Sequence, residues 1–269
     1  MRTPYHHPDV PFIFLWAHKA GCTVLLRWYL FQAHLLLEAS SYEKAKLSMR
    51  LHRYEKEVFK ARPNYMEDLL AAIAANKPIV AFIRCPFQRA YSAYLQINNP
   101  KLMRLQARGD SNNVLTLRRR ILDDVHGSSS PLDARLRFLT YLEWLKAQNP
   151  GSLNRHHRPQ ISSLYRQCDV NTFRLEQLAS IAKRMEEELN LRRSHKHPKM
   201  FKTKHSVPKI EADADALSAI LEGGVPMSRG KRHPVPAVNR ALLEGRPEGA
   251  LIADIFAEDL ALYDSTPLL

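Results

Sequence analysis

Phe12-Ile13-Phe14-Leu15-Trp16-Ala17-His18-Lys19-Ala20-Gly21-Cys22-Thr23-Val24-Leu25-Leu26-Arg27 is the stretch that decides the fold of this chain. Phe12 to Leu15 make an apolar run after Pro11, short and apolar enough for a strand buried on both faces, as in a parallel sheet. His18 to Thr23 then bring a cation, a glycine that permits close backbone approach and a hydroxyl, just before the helix-like stretch from Val24 to Leu37. Amides at a helix N-terminus point outward with the positive end of the helix dipole, so an anion is favoured there. Lys19 adds a mobile point charge. The four-residue glycine spacer and the Gly-Lys-Ser/Thr order of a Walker A loop are both missing. The segment therefore reads either as an anion-holding junction of another kind or as an ordinary strand-to-helix turn.

A second junction, Ile79 to Leu95, favours the first reading. Ile79-Val80-Ala81-Phe82-Ile83 is another buried-strand run, following Lys77-Pro78. Arg84 stands at the strand end, Pro86 suits the first position of a helix, and Ser92 lies two helical turns beyond. A guanidinium fork and a hydroxyl so placed can converge on one phosphate. Ligands of open α/β sheets bind at the carboxyl ends of the strands, so both junctions are expected to face one crevice.

Lys19-Ala20-Gly21-Cys22-Thr23 resembles the 5′-phosphosulfate loop of sulfotransferases that use 3′-phosphoadenosine 5′-phosphosulfate, in the branch of the Golgi carbohydrate sulfotransferases and their bacterial relatives. The segment from Ile83 to Tyr94 is similar to that branch's 3′-phosphate segment, an Arg-Asp-Pro-Phe followed by Ser-Ala-Tyr. His156-His157-Arg158-Pro159-Gln160 resembles its His-Trp-x-Pro-Gln segment, with Phe173 to Leu178 downstream, and Ile255 to Tyr263 resembles its closing helix. The likeness runs in order from about residue 10 to about residue 263. His18 replaces a common proline, Cys85 a usual aspartate and His157 a usual tryptophan. None of these removes an expected phosphate ligand, but Cys85 lacks the carboxylate that would orient the arginine. Nothing between Arg193 and Pro236 matches the branch.

The resemblance implies a P-loop-NTPase-like three-layer α/β fold, with a short parallel sheet flanked by helices, as a single domain over residues 1–269. It implies transfer of a sulfuryl group from 3′-phosphoadenosine 5′-phosphosulfate to a carbohydrate or glycan hydroxyl, without a metal. Lys19, Ala20, Gly21, Cys22 and Thr23 would hold the 5′-phosphate, Arg84 and Ser92 the 3′-phosphate, and Lys19 would also stabilise the departing oxygen. The acceptor hydroxyl calls for a base with reach and a suitable pKa. His52, between the two phosphate motifs, is one candidate, and His156 and His157 are the others. Glu55 and Glu57 rank lower because Tyr54-Glu55-Lys56-Glu57 reads as an exposed helix face. Glu176 is carried over as a family-like position that orders basic side chains.

Composition agrees with a globular enzyme. No Pro/Gly/Ser-rich linker divides the 269 residues, and Gly127 to Pro131 and Gly223 to Pro236 read as loops. Three cysteines, two of them in the proposed nucleotide site, make no disulfide framework and favour a reducing compartment. No secretory signal or membrane span is evident, since Val24 to Leu37 is too short and is broken by Arg27, Gln32 and His34. The expectation is a cytoplasmic bacterial enzyme, with a truncated luminal domain as the alternative.

Forty basic against 27 acidic side chains, a formal charge of +13, call for a polyanionic partner. The nucleotide accounts for part of that charge and an acidic glycan for more. Nucleic acid is the competing partner, through Arg118-Arg119-Arg120, the run from Arg192 to His205, and Arg229 to His233. It ranks lower, since such runs are usually solvated faces and no zinc-finger or RNA-binding signature accompanies them. A nucleotide-dependent phosphotransferase is the competing enzyme, disfavoured by the missing Walker glycines and magnesium carboxylate. Twelve histidines show no structural-zinc spacing and no His-Glu-x-x-His.

Elsewhere the pattern predicts helices over Tyr42–Lys60, Tyr65–Ala75, Leu136–Gln148 and Phe173–Leu191. Beside the two strands named, a sheet of about four or five strands is expected.

Overall fold

Three parallel strands, β1 (Ile13–Leu15), β2 (Ile79–Ile83) and β3 (Val170–Arg174), lie side by side in that order. The structure is a computed structural model that describes residues 3–42, 47–99, 113–197, 200–201, 209–210, 214–223 and 235–268. Every residue of β1 and β2 is buried, as expected for apolar runs covered on both faces. Register pairs Ile13 with Ile79 and Leu15 with Ala81, then Ile79 with Val170 and Ile83 with Arg174. Phe14, Phe82 and Phe173 pack tilted against one another across the three strands, with ring centroids 5.9 and 5.8 Å apart. Each such pair adds about 0.5–1.5 kcal/mol beyond area burial. Tyr5 closes the outer edge of β1 by exchanging two 2.9 Å backbone bonds with Phe14, which protects an edge that would otherwise invite another strand.

The fold is thus α/β, with a short parallel sheet flanked by helices. The sheet is smaller than expected, with three strands among the described residues. Val170-Asn171-Thr172-Phe173-Arg174 carries polar residues and is mostly half-exposed, the mark of an edge strand. The sequence pattern predicts a helix from Phe173 onward. The chain instead passes through a 3₁₀ turn, Leu175–Gln177, and the helix occupies Leu178–Glu188.

After β1 the chain enters α1 (Cys22–Gln32), which ends earlier than its apolar pattern suggested. His34 takes a left-handed φ of 61° and turns the chain into α2 (Leu36–Ser41). α3 (Leu47–Tyr54) runs directly into a five-residue π-helical turn, Glu55–Phe59, and α4 (Tyr65–Ala74) then leads to β2. α1 buries Trp28 and Tyr29 against Phe12 and Phe14. Glu186, 3 % exposed, accepts hydrogen bonds from Trp28 Nε1, Gln32 Nε2 and the Ser194 amide, so its burial is compensated on both oxygens.

By contact the described chain divides into two compact units. The first comprises Met1–Arg84, Gln160–Lys204 and Leu262–Leu269 and holds the sheet, and the second comprises Cys85–Pro159 and His205–Ala261. In the second, α5 (Pro86–Ile97) starts with proline at its first position, as read from sequence, and buries Tyr91 and Tyr94. The Tyr94 hydroxyl donates to the carbonyls of Leu136 and Ile220, at 2.9 and 3.0 Å. The helix Phe138–Lys146 buries Phe138, Leu142 and Leu145 and leaves Leu139 half-buried. The closing segment is two helices, Pro247–Ile255 and Ala257–Ser265, broken at buried Phe256.

The second unit also contains an interior ion pair. Arg89, 2 % exposed, faces Asp259, 0 % exposed, across 3.9 Å, and donates to the Arg158 carbonyl. Removing one partner strands the other charge in a medium that cannot solvate it, so Asp259→Ala is expected to destabilise the chain by roughly 3 kcal/mol. The check is a chemical denaturation curve shifted to lower denaturant, with the double variant Asp259→Leu, Arg89→Met recovering most of the loss.

Candidate functional site

The turn from β1 into α1 owes its shape to two left-handed residues. Lys19 has φ 65° and Gly21 has φ 73°. Glycine tolerates this region freely, whereas lysine adopts it only when its surroundings hold it there, and such strain gathers at functional sites. Gly21 caps α1 with its carbonyl, which accepts from the amides of Val24 and Leu25 at 2.9 and 3.0 Å. The first-turn amides then have no acceptor within the helix and point out of its end. Ala20 is fully buried beneath them.

Gly21 is demanded twice over. A β-carbon there would lie 2.9 Å from Leu175 Cδ1, in addition to the left-handed backbone. Gly21→Ala is expected to destabilise the chain by about 1–3 kcal/mol. Adding Leu175→Ala should recover part of the stability, the steric part, and not the part due to φ; thermal unfolding of the two variants separates the contributions.

Arg84 ends β2 beside this loop. Its Nη1 donates to the Lys19 carbonyl at 2.8 Å. Gln160 fixes the backbone of the same arginine in both senses: the Arg84 amide donates to Gln160 Oε1 at 3.0 Å, and Gln160 Nε2 donates to the Arg84 carbonyl at 2.9 Å. Gln160 is 7 % exposed. Three separate stretches of sequence, around Lys19, Arg84 and Gln160, therefore form one hydrogen-bonded unit. The reading of the sequence gave Gln160 no task of its own, and only its two-sided amide identifies one.

His52 joins the same place from α3. Its Nε2 lies 3.1 Å from Thr23 Oγ1 and its Nδ1 lies 3.1 Å from Glu55 Oε2. Lys60 Nζ donates to the other Glu55 oxygen at 2.7 Å and to the Thr3 carbonyl at 2.8 Å. Burial alone would lower the His52 pKa, but the hydrogen bonds and charge supplied by Cys22 and Glu55 outweigh it and push the value up to about 9. The expectation that Glu55 lies on an exposed helix face is overturned, since Glu55 is 5 % exposed. Glu55 stands one helical turn beyond buried Leu51 and next to buried Tyr54, so it shares the inward face of α3, while Glu57 remains exposed.

Ser92, His156 and His157 stand in the second unit, and Glu176 in the first. Ser92 is half-buried on α5. His156 Nδ1 meets Asn154 Oδ1 at 2.9 Å in a tight turn, and His157, 4 % exposed, meets the Tyr141 hydroxyl at 2.6 Å through Nδ1. Glu176 is exposed, and Arg174 two residues before it donates to the carbonyls of Thr266 and Asp264. Of the first unit's candidates, Lys19, Ala20, Gly21, Cys22, Thr23, His52 and Arg84 are thus brought together.

The basic clusters fare differently. Arg118 is buried and donates to the carbonyls of Leu132 and Ala134, while Arg119 and Arg120 face Asp123 and Asp124 at 3.8 and 3.9 Å. In the run from Arg192, that first arginine lies over the Phe31 ring at 4.2 Å and donates to the Phe31 carbonyl. The cluster Arg229 to His233 lies outside the described residues. Among the described residues no helix is long and apolar enough to cross a membrane. No family model, no curated protein and no solved structure matches this chain.

Proposed function

We propose that this chain is a sulfotransferase that moves a sulfuryl group from 3′-phosphoadenosine 5′-phosphosulfate to a carbohydrate hydroxyl, on a P-loop-like architecture. The observation that carries the reading is the bond from Arg84 Nη1 to the Lys19 carbonyl. It links a lysine-bearing turn at a helix N-terminus with an arginine at the end of the neighbouring parallel strand. An α/β sheet holds a phosphorylated ligand at this edge.

In this reading the first-turn amides of α1 and the Thr23 hydroxyl hold the 5′-phosphate. Arg84 holds the 3′-phosphate that separates this donor from ADP or ATP. The acceptor oxygen attacks sulfur in line, the bond from sulfur to the 5′-phosphate oxygen breaks, and the negative charge arriving on that oxygen meets the Lys19 ammonium. The acceptor proton passes to water as the new ester forms. In the first basic cluster Arg118 is buried on carbonyls of its own unit and so is not offered to nucleic acid.

The test is calorimetric titration with 3′-phosphoadenosine 5′-phosphate and, separately, with ADP. Preference for the 3′-phosphorylated nucleotide supports the assignment. Preference for ADP points to a phosphotransferase, and binding of neither removes the nucleotide site altogether.

A further inference from the structure

We infer that His52 serves the loop as a fixed imidazolium, charged by Glu55 and aimed at Thr23, and not as the base that deprotonates the acceptor. The inference rests on the loop holding an anion, as proposed above, and follows from counting protons. Thr23 has a single hydroxyl proton and an anion can only accept, so with the loop loaded that proton points at the anion. Thr23 Oγ1 must then accept from its neighbour 3.1 Å away, which is His52 Nε2. The other ring nitrogen faces a carboxylate oxygen, again an acceptor, at 3.1 Å. Both nitrogens therefore carry protons, and a histidine in that state has no lone pair with which to take another.

The surroundings hold that state in place. Glu55 is buried and its second oxygen is clamped by Lys60, whose ammonium also lies 4.5 Å from the Tyr5 ring and 5.5 Å from the Trp16 ring. Trp16 stacks on His52 at 6.4 Å and meets the His18 ring at a tilt, with centroids 5.5 Å apart. From α1, Cys22 contributes a further hydrogen bond to His52. The carboxylate of α2, Glu38, reaches Tyr54 instead. Glu55 is accordingly a positioning residue that acts through His52, and Lys60 tempers it.

Two variants move the charge in opposite directions, which a general loss of structure cannot do. Glu55→Gln removes the carboxylate and lowers the His52 pKa, whereas Lys60→Met removes a competing cation and raises it. The direct readout is nitrogen NMR of the full chain at pH 7.5, with His52 assigned by its absence from the His52→Gln spectrum, recorded with and without 3′-phosphoadenosine 5′-phosphate. Two protonated ring nitrogens are expected, and a singly protonated ring in the nucleotide complex overturns the inference. The second readout is nucleotide affinity from pH 7 to 10. It is expected to hold steady below the His52 pKa of about 9 and to weaken by up to tenfold per pH unit above it. That edge should move down by at least one pH unit in Glu55→Gln and up in Lys60→Met. Cys22→Ser should also move the edge down, since Cys22 shares with Glu55 in raising the His52 pKa, but should not remove it; an edge abolished with the thiol would belong to Cys22 and count against His52. Failure of the functional reading looks different: no nucleotide binds at any pH, and the ring nitrogens of the free protein still decide whether His52 is charged.

Discussion

Replacing Lys19 with alanine is expected to slow sulfuryl transfer by about 10³-fold while changing the dissociation constant for 3′-phosphoadenosine 5′-phosphate by no more than about threefold. The asymmetry follows from when the charge appears. A cation that meets an oxygen only as it becomes anionic lowers the barrier without tightening the ground state, and a preorganised donor of this kind is worth about 10²–10³ in rate, more when the group is fully charged. The substitution isolates the ammonium. The main-chain carbonyl that accepts from Arg84 remains, and alanine at φ 65° bears the same steric cost as lysine, so the turn keeps its shape. Labelled donor, supplied with neutral and acidic oligosaccharides, gives the rate, and calorimetry gives the affinity. Equal losses in both would mean that Lys19 binds the nucleotide and has no separate part in the chemistry.

Raised proton affinity at His52 also has a consequence for stability. Between the ordinary value of 6.5 and the folded value of about 9, the folded chain keeps a proton that the unfolded chain has released. Stability from this group is therefore complete below pH 6.5 and is lost as pH rises through about 9. Thermal unfolding of wild type should fall more steeply between pH 7 and pH 10 than that of His52→Gln.

Which parts of this arrangement could be read in the sequence is explained by local physics. β1 and β2 were legible because a strand buried on both faces must be apolar throughout, and Phe12 to Leu15 and Ile79 to Ile83 are. β3 was not, because an edge strand with Asn171, Thr172 and Arg174 needs no such run, and Phe173 and Leu175 also suit a helix. The turn around Lys19 and Gly21 showed itself through glycine and charge, yet the left-handed lysine did not, since any L-residue other than glycine argues against that conformation until the fold enforces it. Glu55 was hidden for a different reason. The charged run Tyr54-Glu55-Lys56-Glu57 looks solvated, yet Glu55 lies one helical turn beyond buried Leu51 and faces inward with it, while Lys56 and Glu57 stay exposed. A signal was present in retrospect: Glu55 follows Leu51 by four residues and His52 by three, the spacings that share a helix face, and Lys60 reaches the same carboxylate from the end of the π turn. Gln160 left no trace, because a glutamine that serves backbone groups is chemically identical to one that faces water.

Arg84→Ala is expected to weaken binding of 3′-phosphoadenosine 5′-phosphate by roughly 10³-fold and binding of ADP by less than tenfold, with turnover at saturating donor reduced far less than affinity. A guanidinium on a phosphate dianion makes charge-assisted bonds of about 1.5–3 kcal/mol each, and two of them account for a loss of that size. ADP has no 3′-phosphate and so escapes most of the penalty. What remains for ADP is indirect, because the same arginine holds the Lys19 carbonyl at 2.8 Å and its removal loosens the turn that carries the first-turn amides. The two effects separate in a second variant. Gln160→Leu leaves the guanidinium in the chain but deprives the Arg84 amide and carbonyl of their partners, at about 1–3 kcal/mol for each buried group left unsatisfied. If Arg84 recognises the 3′-phosphate directly, Arg84→Ala erases the preference for that nucleotide over ADP, while Gln160→Leu lowers stability and weakens both nucleotides together. If Arg84 only braces the loop, both variants lose both nucleotides in the same ratio, and the 3′-phosphate has to be recognised elsewhere.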